Sequence, residues 1–271
     1  VRGASRPAVL SVIDVSSGCR SLTRTGRPAD VHCADGRCEN ATLPAARIPM
    51  SAIDRTKLQE DAVRRQVRDA GHAHMLLSDA QLDASRHATF GHLAVDAPVW
   101  VFAYGSLMWS PMMQFAERRR ARIHGWHRGF YLWSKINRGT PDTPGLVLAL
   151  DRGGSCGGIA CRLDPSTAAE DLGLLWRREM IAGTYVPRWM RAWTADGPVD
   201  AVAFVVDRTK DTYAGLVDDD TIVDLALRAR GHYGPCRDYL VETADSLERM
   251  SMADARLTRL AAQRRAVDGS S

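Results

Sequence analysis

The sequence has no apolar run approaching the roughly 18 residues that a membrane-spanning helix requires, which removes integral helical membrane proteins from its expected classes. The stretch AVLSVIDV near the N-terminus is too short for the core of a secretory signal and is interrupted by Asp14. A cytoplasmic location is expected. Nor is one sign of charge in large excess: the net charge of the 271 residues is +4, and residues 71–271 hold 24 Lys/Arg against 24 Asp/Glu. No basic run exceeds Arg118-Arg119-Arg120. A chain without a basic stripe has no electrostatic footprint for phosphate backbones or anionic headgroups, so neither nucleic acid nor membrane is an expected partner. Metal-ligand spacing is missing too. The segment HCADGRC, His32 to Cys38, has neither a second short-spaced pair nor a fourth ligand. Cys19, Cys33 and Cys38 are therefore expected as unligated thiols, and Cys156, Cys161 and Cys236, beside apolar segments, as small hydrophobes. DRGGSCGG from Asp151 lacks the Lys-Ser/Thr ending of a phosphate loop and leads into a strand, so a hairpin turn is expected there.

What remains is an ordinary globular composition, 45% hydrophobic, with an uneven layout. Residues 1–50 are rich in Arg, Ala, Ser, Pro and Gly without helical or strand periodicity; they read as a disordered or non-native extension. Residues 51–96 read as a helical segment, with helices over 51–69 and over 75–90, the latter opening at Ser78-Asp79. Residues 97–267 read as one compact domain. Strands are expected at 99–104, 122–133 (broken near Gly125 or Gly129), 146–150, 157–163, 186–194 and 199–206, and helices at 165–181, 218–230, 236–250 and 253–266. Strands in succession, one inserted helix and helices at the end point to an α+β class: a small mixed β-barrel surrounded by helices.

Two segments carry chemistry. In DPSTAAEDLGLLWRREMIAG, Asp164 is the expected N-cap with Pro165 at the first helical position, and Gly183 the expected stop. Its apolar stripe runs Ala168, Leu172, Leu175, Trp176 and then meets Glu179, while Arg177 and Arg178 read as solvated or ion-paired charges. A carboxyl group on an apolar face is costly to ionise, and its raised pKa suits proton transfer near neutrality. A glutamate paired to an arginine, or one reaching past the stripe to water, fits the spacing as well. The second segment is VWVFAYGSLMW, Val99 to Trp109, a buried-type strand that stops at Gly105-Ser106. Backbone N–H groups after such a stop can converge on an anion or oxyanion. Ser106 invites a nucleophile reading, but Tyr104 and Met108 stand where a G-x-S-x-G elbow needs glycine. A plain tight turn fits the loop equally. Trp126, Trp133, Trp189 and Trp193 read as packing residues, and His124 and His127, three apart in a strand, as facing opposite ways.

Together, VWVFAYGSLMWSP, GWHRGF, RGTPDTPGLVLAL, LLWRREMIAGTYVPRW and YGPCRDYL resemble the ChaC-like, glutathione-specific γ-glutamylcyclotransferases, over about Pro98 to Leu240. The resemblance implies a helix-decorated barrel, a small-molecule substrate (glutathione) and release of 5-oxoproline and cysteinylglycine. It implies binding of the γ-glutamyl group by Ala103, Tyr104, Gly105, Ser106, Leu107 and Met108, acid/base work by Glu179, and a pocket role for Tyr239. Ala103 replaces the family's usual glycine in FGYGSL, and GPCRDYL departs from its commoner GPxGxNxxYL. No metal or organic cofactor is expected, because the free α-amine attacks its own γ-carbonyl and the reaction mostly needs the chain folded correctly. The loop amides of Gly105, Ser106 and Leu107 would hold either the oxyanion or a substrate carboxylate. Action on another γ-glutamyl amine or peptide, or binding without catalysis, are the alternatives, and the oligomeric state is open.

Overall fold

In a computed structural model of the chain the described residues are 55–94 and 96–268, the side chains of 264–268 excepted. The expectations for residues 1–50, with Cys19, Cys33 and Cys38, lie outside them.

Strand β1, Trp100–Ala103, is buried at every position, as its apolar run predicts. Val101 and Ala103 pack in a cluster shared with the helices, whereas Trp100 and Phe102 belong to a second cluster built from strand residues. β1 therefore separates the inside of a barrel from its helical jacket. The other walls are β2 (Phe115–Ser134), β3 (Gly145–Leu163), β4 (Tyr185–Thr194) and β5 (Gly197–Val206). Their order is β1-β3-β2-β4-β5, and parallel pairs Val101↔Val202 and Leu150↔Val205 close the barrel. Ala121, Ala160, Ala192, Ala201 and Ala203 leave room inside for Phe102, Ile123 and Leu150, the mixing of small and large side chains that fills a narrow barrel.

The expected mixed barrel is present, but its long hairpin differs from the sequence reading. Segments 146–150 and 157–163 are one strand, β3, and DRGGSCGG runs inside it rather than turning. β2 likewise starts at Phe115 and continues through Gly125 and Gly129. The physical reason is a paired irregularity: the register shifts between His124 and Trp126, opposite Gly153 (φ 103°) and Gly154 (φ 64°). Glycines in left-handed backbone let both strands bulge together, so the ribbon bends instead of reversing. Residues 135–144 make the actual reversal.

Among the described residues, seven helices surround the barrel. The region expected as one helix over 51–69 is α1 (Arg55–Gln59) and α2 (Ala62–Asp69), divided at Asp61, which takes φ 55°; residues 51–54 lie outside the described residues. α3 (Asp79–Phe90) opens at Ser78 as expected, with a capping box between Ser78 and Gln81. α4 (Ala168–Glu179) starts later than predicted. Asp164 instead accepts hydrogen bonds from the backbone N–H and hydroxyl of Ser166, forming a turn that delays the helix until Thr167. α5 (Asp219–Arg228), α6 (Cys236–Arg249) and α7 (Ala255–Asp268) follow, with a two-residue ribbon, β6 (Arg230–Gly231) and β7 (Gly234–Pro235), before α6.

Helix α1 is joined to α4 through a buried carboxylate. Asp171 on α4 is fully buried and accepts from Gln114 N (3.0 Å), Thr167 Oγ1 (2.7 Å) and Arg55. Phe90 of α3 meets the rings of both Trp176 and Trp189, and Trp189 Nε1 donates to Thr89 O. Trp193, expected in the packing, is 53% exposed because it lies at the far end of β4, beyond these contacts. No helix among the described residues is long and apolar enough to cross a membrane.

Candidate active site

The chain leaves β1 through Tyr104 and Gly105 into a single 3₁₀ turn, Ser106–Met108. Met108 N donates to Gly105 O, and Trp109 N and Ser110 N return to Ser106 O. Those bonds use the donors at the end of the turn; the N–H groups of Gly105, Ser106 and Leu107 have no protein acceptor among the described residues. Gly105 does not use the left-handed region: its φ is −137°. Its lack of a side chain matters through proximity, since a Cβ there would lie 3.4 Å from Tyr239 Oη.

Glu179 ends α4 and Tyr239 lies in the first turn of α6, and both face the space beneath this turn. Tyr104, Gly105, Ser106, Leu107, Glu179 and Tyr239 line one cavity of about 30 Å³, together with Leu148, Tyr185 and Phe204. Ser106, Glu179, Tyr185 and Tyr239 also border a larger cavity of about 110 Å³ that extends toward the 135–144 connection. The carboxyl of Glu179 thus stands where a small inner chamber meets a roomier outer one. Ala103 and Met108 are not on either wall; both are buried in the core shared with the helices.

Three tyrosines surround the inner chamber. Tyr104 Oη donates to Phe204 O (2.6 Å) and Tyr185 Oη to Leu148 O (3.1 Å). Tyr239 Oη instead accepts the N–H of Leu148 at 3.1 Å. Having accepted, that hydroxyl keeps its own proton to donate into the chamber. Burial pushes all three phenols upward, so they are neutral donors rather than bases.

The apolar stripe brings Glu179 to the covered side of α4, and Arg178, expected as solvated or ion-paired, is ion-paired to it. Arg178 is 6% exposed, so the ion pair is a buried one. Its Nη1 donates to Ser110 O (2.6 Å), its Nη2 to Ser106 Oγ (2.9 Å), and its Nε lies 3.1 Å from Glu179 Oε1. Burial raises the pKa of Glu179 and the Arg178 charge lowers it in part, with burial the larger effect. A signal for Arg178 was present in its spacing from Leu174 and Leu175, both buried, which widens the covered arc of α4 beyond the stripe. Tyr185 had no such signal. A second arginine, Arg128 of β2, grips the same loop from the other side: Nη1 donates to Tyr104 O (2.9 Å) and Gly157 O (3.1 Å), and Nη2 pairs with Asp254 at 3.1 Å.

The guanidinium donating to Ser106 Oγ bears on the serine's chemistry. A serine nucleophile needs a base on its hydroxyl, and this hydroxyl instead meets a cation. The buried thiols offer no alternative: burial raises Cys156, pushes Cys236 up to about 11 and Cys161 up to about 12. Among the described residues no three His, Cys, Asp or Glu side chains gather as a metal site.

The chain has relatives among known proteins. A profile of the ChaC-like protein family matches residues 99–266. The chain belongs to the ChaC-like family. It is 39% identical over 181 residues to the glutathione-specific γ-glutamylcyclotransferase of Escherichia coli (strain K12), covering 66% of this chain and 78% of that one. It is 30% identical over 155 residues to glutathione-specific γ-glutamylcyclotransferase 1 of Mus musculus, covering 55% and 70%. The fold of this ChaC-like chain matches a crystal structure of the yeast γ-glutamyl cyclotransferase specific to glutathione, with a TM-score of 0.58 at 20% identity over 63% of this chain and 96% of that chain.

Proposed function

We propose that this ChaC-like protein, through a catalytic domain spanning residues 97–267, cyclises the γ-glutamyl group of glutathione and releases 5-oxoproline and cysteinylglycine. The observation that carries this reading is that Glu179, a carboxyl with a raised pKa, lines the same chamber as loop residues whose amides have no protein acceptor among the described residues. The family membership and the names of its relatives support the same substrate.

Glu179, as carboxylate, takes the proton from the α-ammonium of the substrate. The freed amine attacks the γ-carbonyl carbon, which closes a five-membered ring and shifts the carbonyl electron pair onto oxygen. Amides at Gly105, Ser106 and Leu107 stand ready for that oxyanion or for the adjoining α-carboxylate, and the Tyr239 hydroxyl adds a neutral donor beside them. Glu179 returns its proton to the departing amide nitrogen as the carbon–nitrogen bond breaks. The ring nitrogen gives its second proton to the Glu179 carboxylate, which passes it to the freed amine; cysteinylglycine leaves as the ammonium and the carboxylate is regenerated. Ser106 has a supporting role, fixing the turn through Arg178.

Incubating the purified protein with millimolar glutathione and following cysteinylglycine by mass spectrometry tests the proposal. Equal amounts of 5-oxoproline and cysteinylglycine are expected. Absence of both overturns it, and turnover confined to other γ-glutamyl amines would reassign the substrate.

A further inference from the structure

The inner chamber, at about 30 Å³, holds little more than the reacting end of a tripeptide, so the rest of a glutathione molecule must occupy the outer cavity. That cavity contains an unusual cation. Arg138, in the connection between β2 and β3, is 5% exposed, and no carboxylate among the described residues forms an ion pair with it. Its Nη1 donates to the carbonyls of Tyr233 and Pro235, and its guanidinium carbon stands 5.7 Å from the centre of the Tyr239 ring. Carbonyls and a ring face compensate a buried positive charge only in part. Arg178, by contrast, has Glu179 as its counter-ion.

Two further residues line the same cavity, Asn137 and Thr212, whose buried Oδ1 and Oγ1 have no hydrogen-bond partner among the described residues. An unsatisfied acceptor, an unsatisfied hydroxyl and an undercompensated guanidinium form a complementary set for one chemical object. A peptide unit that ends in a carboxylate offers an N–H, a carbonyl oxygen and a negative charge. Lys135 also borders this cavity, but it pairs with Asp211 at 3.4 Å.

We infer that the outer cavity is the site for the cysteinylglycine half of the substrate, with Arg138 pairing to its terminal carboxylate and Asn137 and Thr212 flanking the last peptide bond. The inference rests on the glutathione reading above and extends it to what separates this substrate from other γ-glutamyl compounds. Arg138 acts here as a specificity residue, and the proton chemistry stays with Glu179.

Steady-state kinetics of the wild type, Arg138→Gln and Arg138→Lys with two substrates test it: glutathione, and glutathione whose glycine carboxyl is esterified. The wild type should favour glutathione over the ester by roughly 10- to 100-fold in kcat/KM, the loss expected for a charged hydrogen-bonded contact. Arg138→Gln should raise KM for glutathione by a similar factor, with kcat within about threefold, while changing the ester little. Arg138→Lys should recover part of the loss. Equal use of glutathione and ester by the wild type overturns the inference without needing any variant to fold. So does an equal loss on both substrates in Arg138→Gln, which would assign the arginine to the γ-glutamyl end or to the fold. No turnover of glutathione by the wild type would refute the underlying reading, and this inference with it; turnover without discrimination refutes this inference alone.

Discussion

Two buried arginines hold the loop after β1, one from each side, and their counter-ions set them apart. Arg128 grips Tyr104 O and pairs with Asp254, whose other hydrogen bonds, from the N–H groups of Arg256 and Leu257, cap the start of α7. Arg178 grips Ser106 Oγ and Ser110 O and pairs with Glu179, which faces the chamber. The device is the same, a planar cation bridging a loop to a carboxylate, but one carboxylate is spent on a helix terminus and the other is left with a raised pKa beside open space. On the proposed mechanism, position on the fold, more than residue type, separates a structural ion pair from a reactive one.

The comparison breaks most sharply at the reactive carboxylate. Glu179→Gln should lower kcat by roughly 10²- to 10⁴-fold, the span of general acid–base catalysis, while calorimetric titration still detects glutathione. The pH profile carries the sign of the shift. Because the ionised form is the base and burial raises its pKa, activity should rise with pH along a limb lying above 4.5, the ordinary value of the group.

Arg178→Met comes next. Removing the cation withdraws what lowers the Glu179 pKa, so the acidic limb should move to still higher pH. The loosened turn should cost roughly another 10- to 100-fold in kcat at the new optimum, the scale of a small misplacement of reacting groups. An unshifted limb would show that the two side chains do not share charge in solution.

Ser106→Ala removes one charged hydrogen bond and should leave activity within about tenfold of the wild type, with no acyl-enzyme detected by intact mass. Complete loss together with a trapped adduct on the wild type would return Ser106 to the role of nucleophile. The smallest effect belongs to the other side of the loop. Asp254→Asn keeps a cap for α7 and weakens only the Arg128 pair; it should cost about 1 kcal/mol in thermal unfolding and leave kcat within about twofold.

Sequence periodicity went far where local chemistry decides structure. Ser78 and Gln81 announce the start of α3, Asp218 that of α5, and the apolar run from Val199 to Val206 its strand. It misled where two segments must be seen together. Gly153 and Gly154 have the composition of a turn, and only Gly125 and the register shift on the partner strand show that they make a bulge. In the site, Glu179 was legible from its stripe, and the loop through its unusual stop. The burial of Arg178 required knowing that α4 is covered on the Leu174 side as well, and Arg138 is announced by nothing local: its environment is made by Tyr233, Pro235 and Tyr239, nearly a hundred residues further on.

Leu148 supplies a last consequence. Its N–H goes to Tyr239 and its carbonyl to Tyr185, so at this residue phenols close the wall of the barrel. Two residues on, at Leu150, the same strand pairs with β5. The chamber is thus a dropped stitch in the sheet, held open by two tyrosines, and not a pocket laid on a finished scaffold. A protein built this way has its proposed reactive centre and its seam in one place, and whatever tightens the knitting there narrows the chamber.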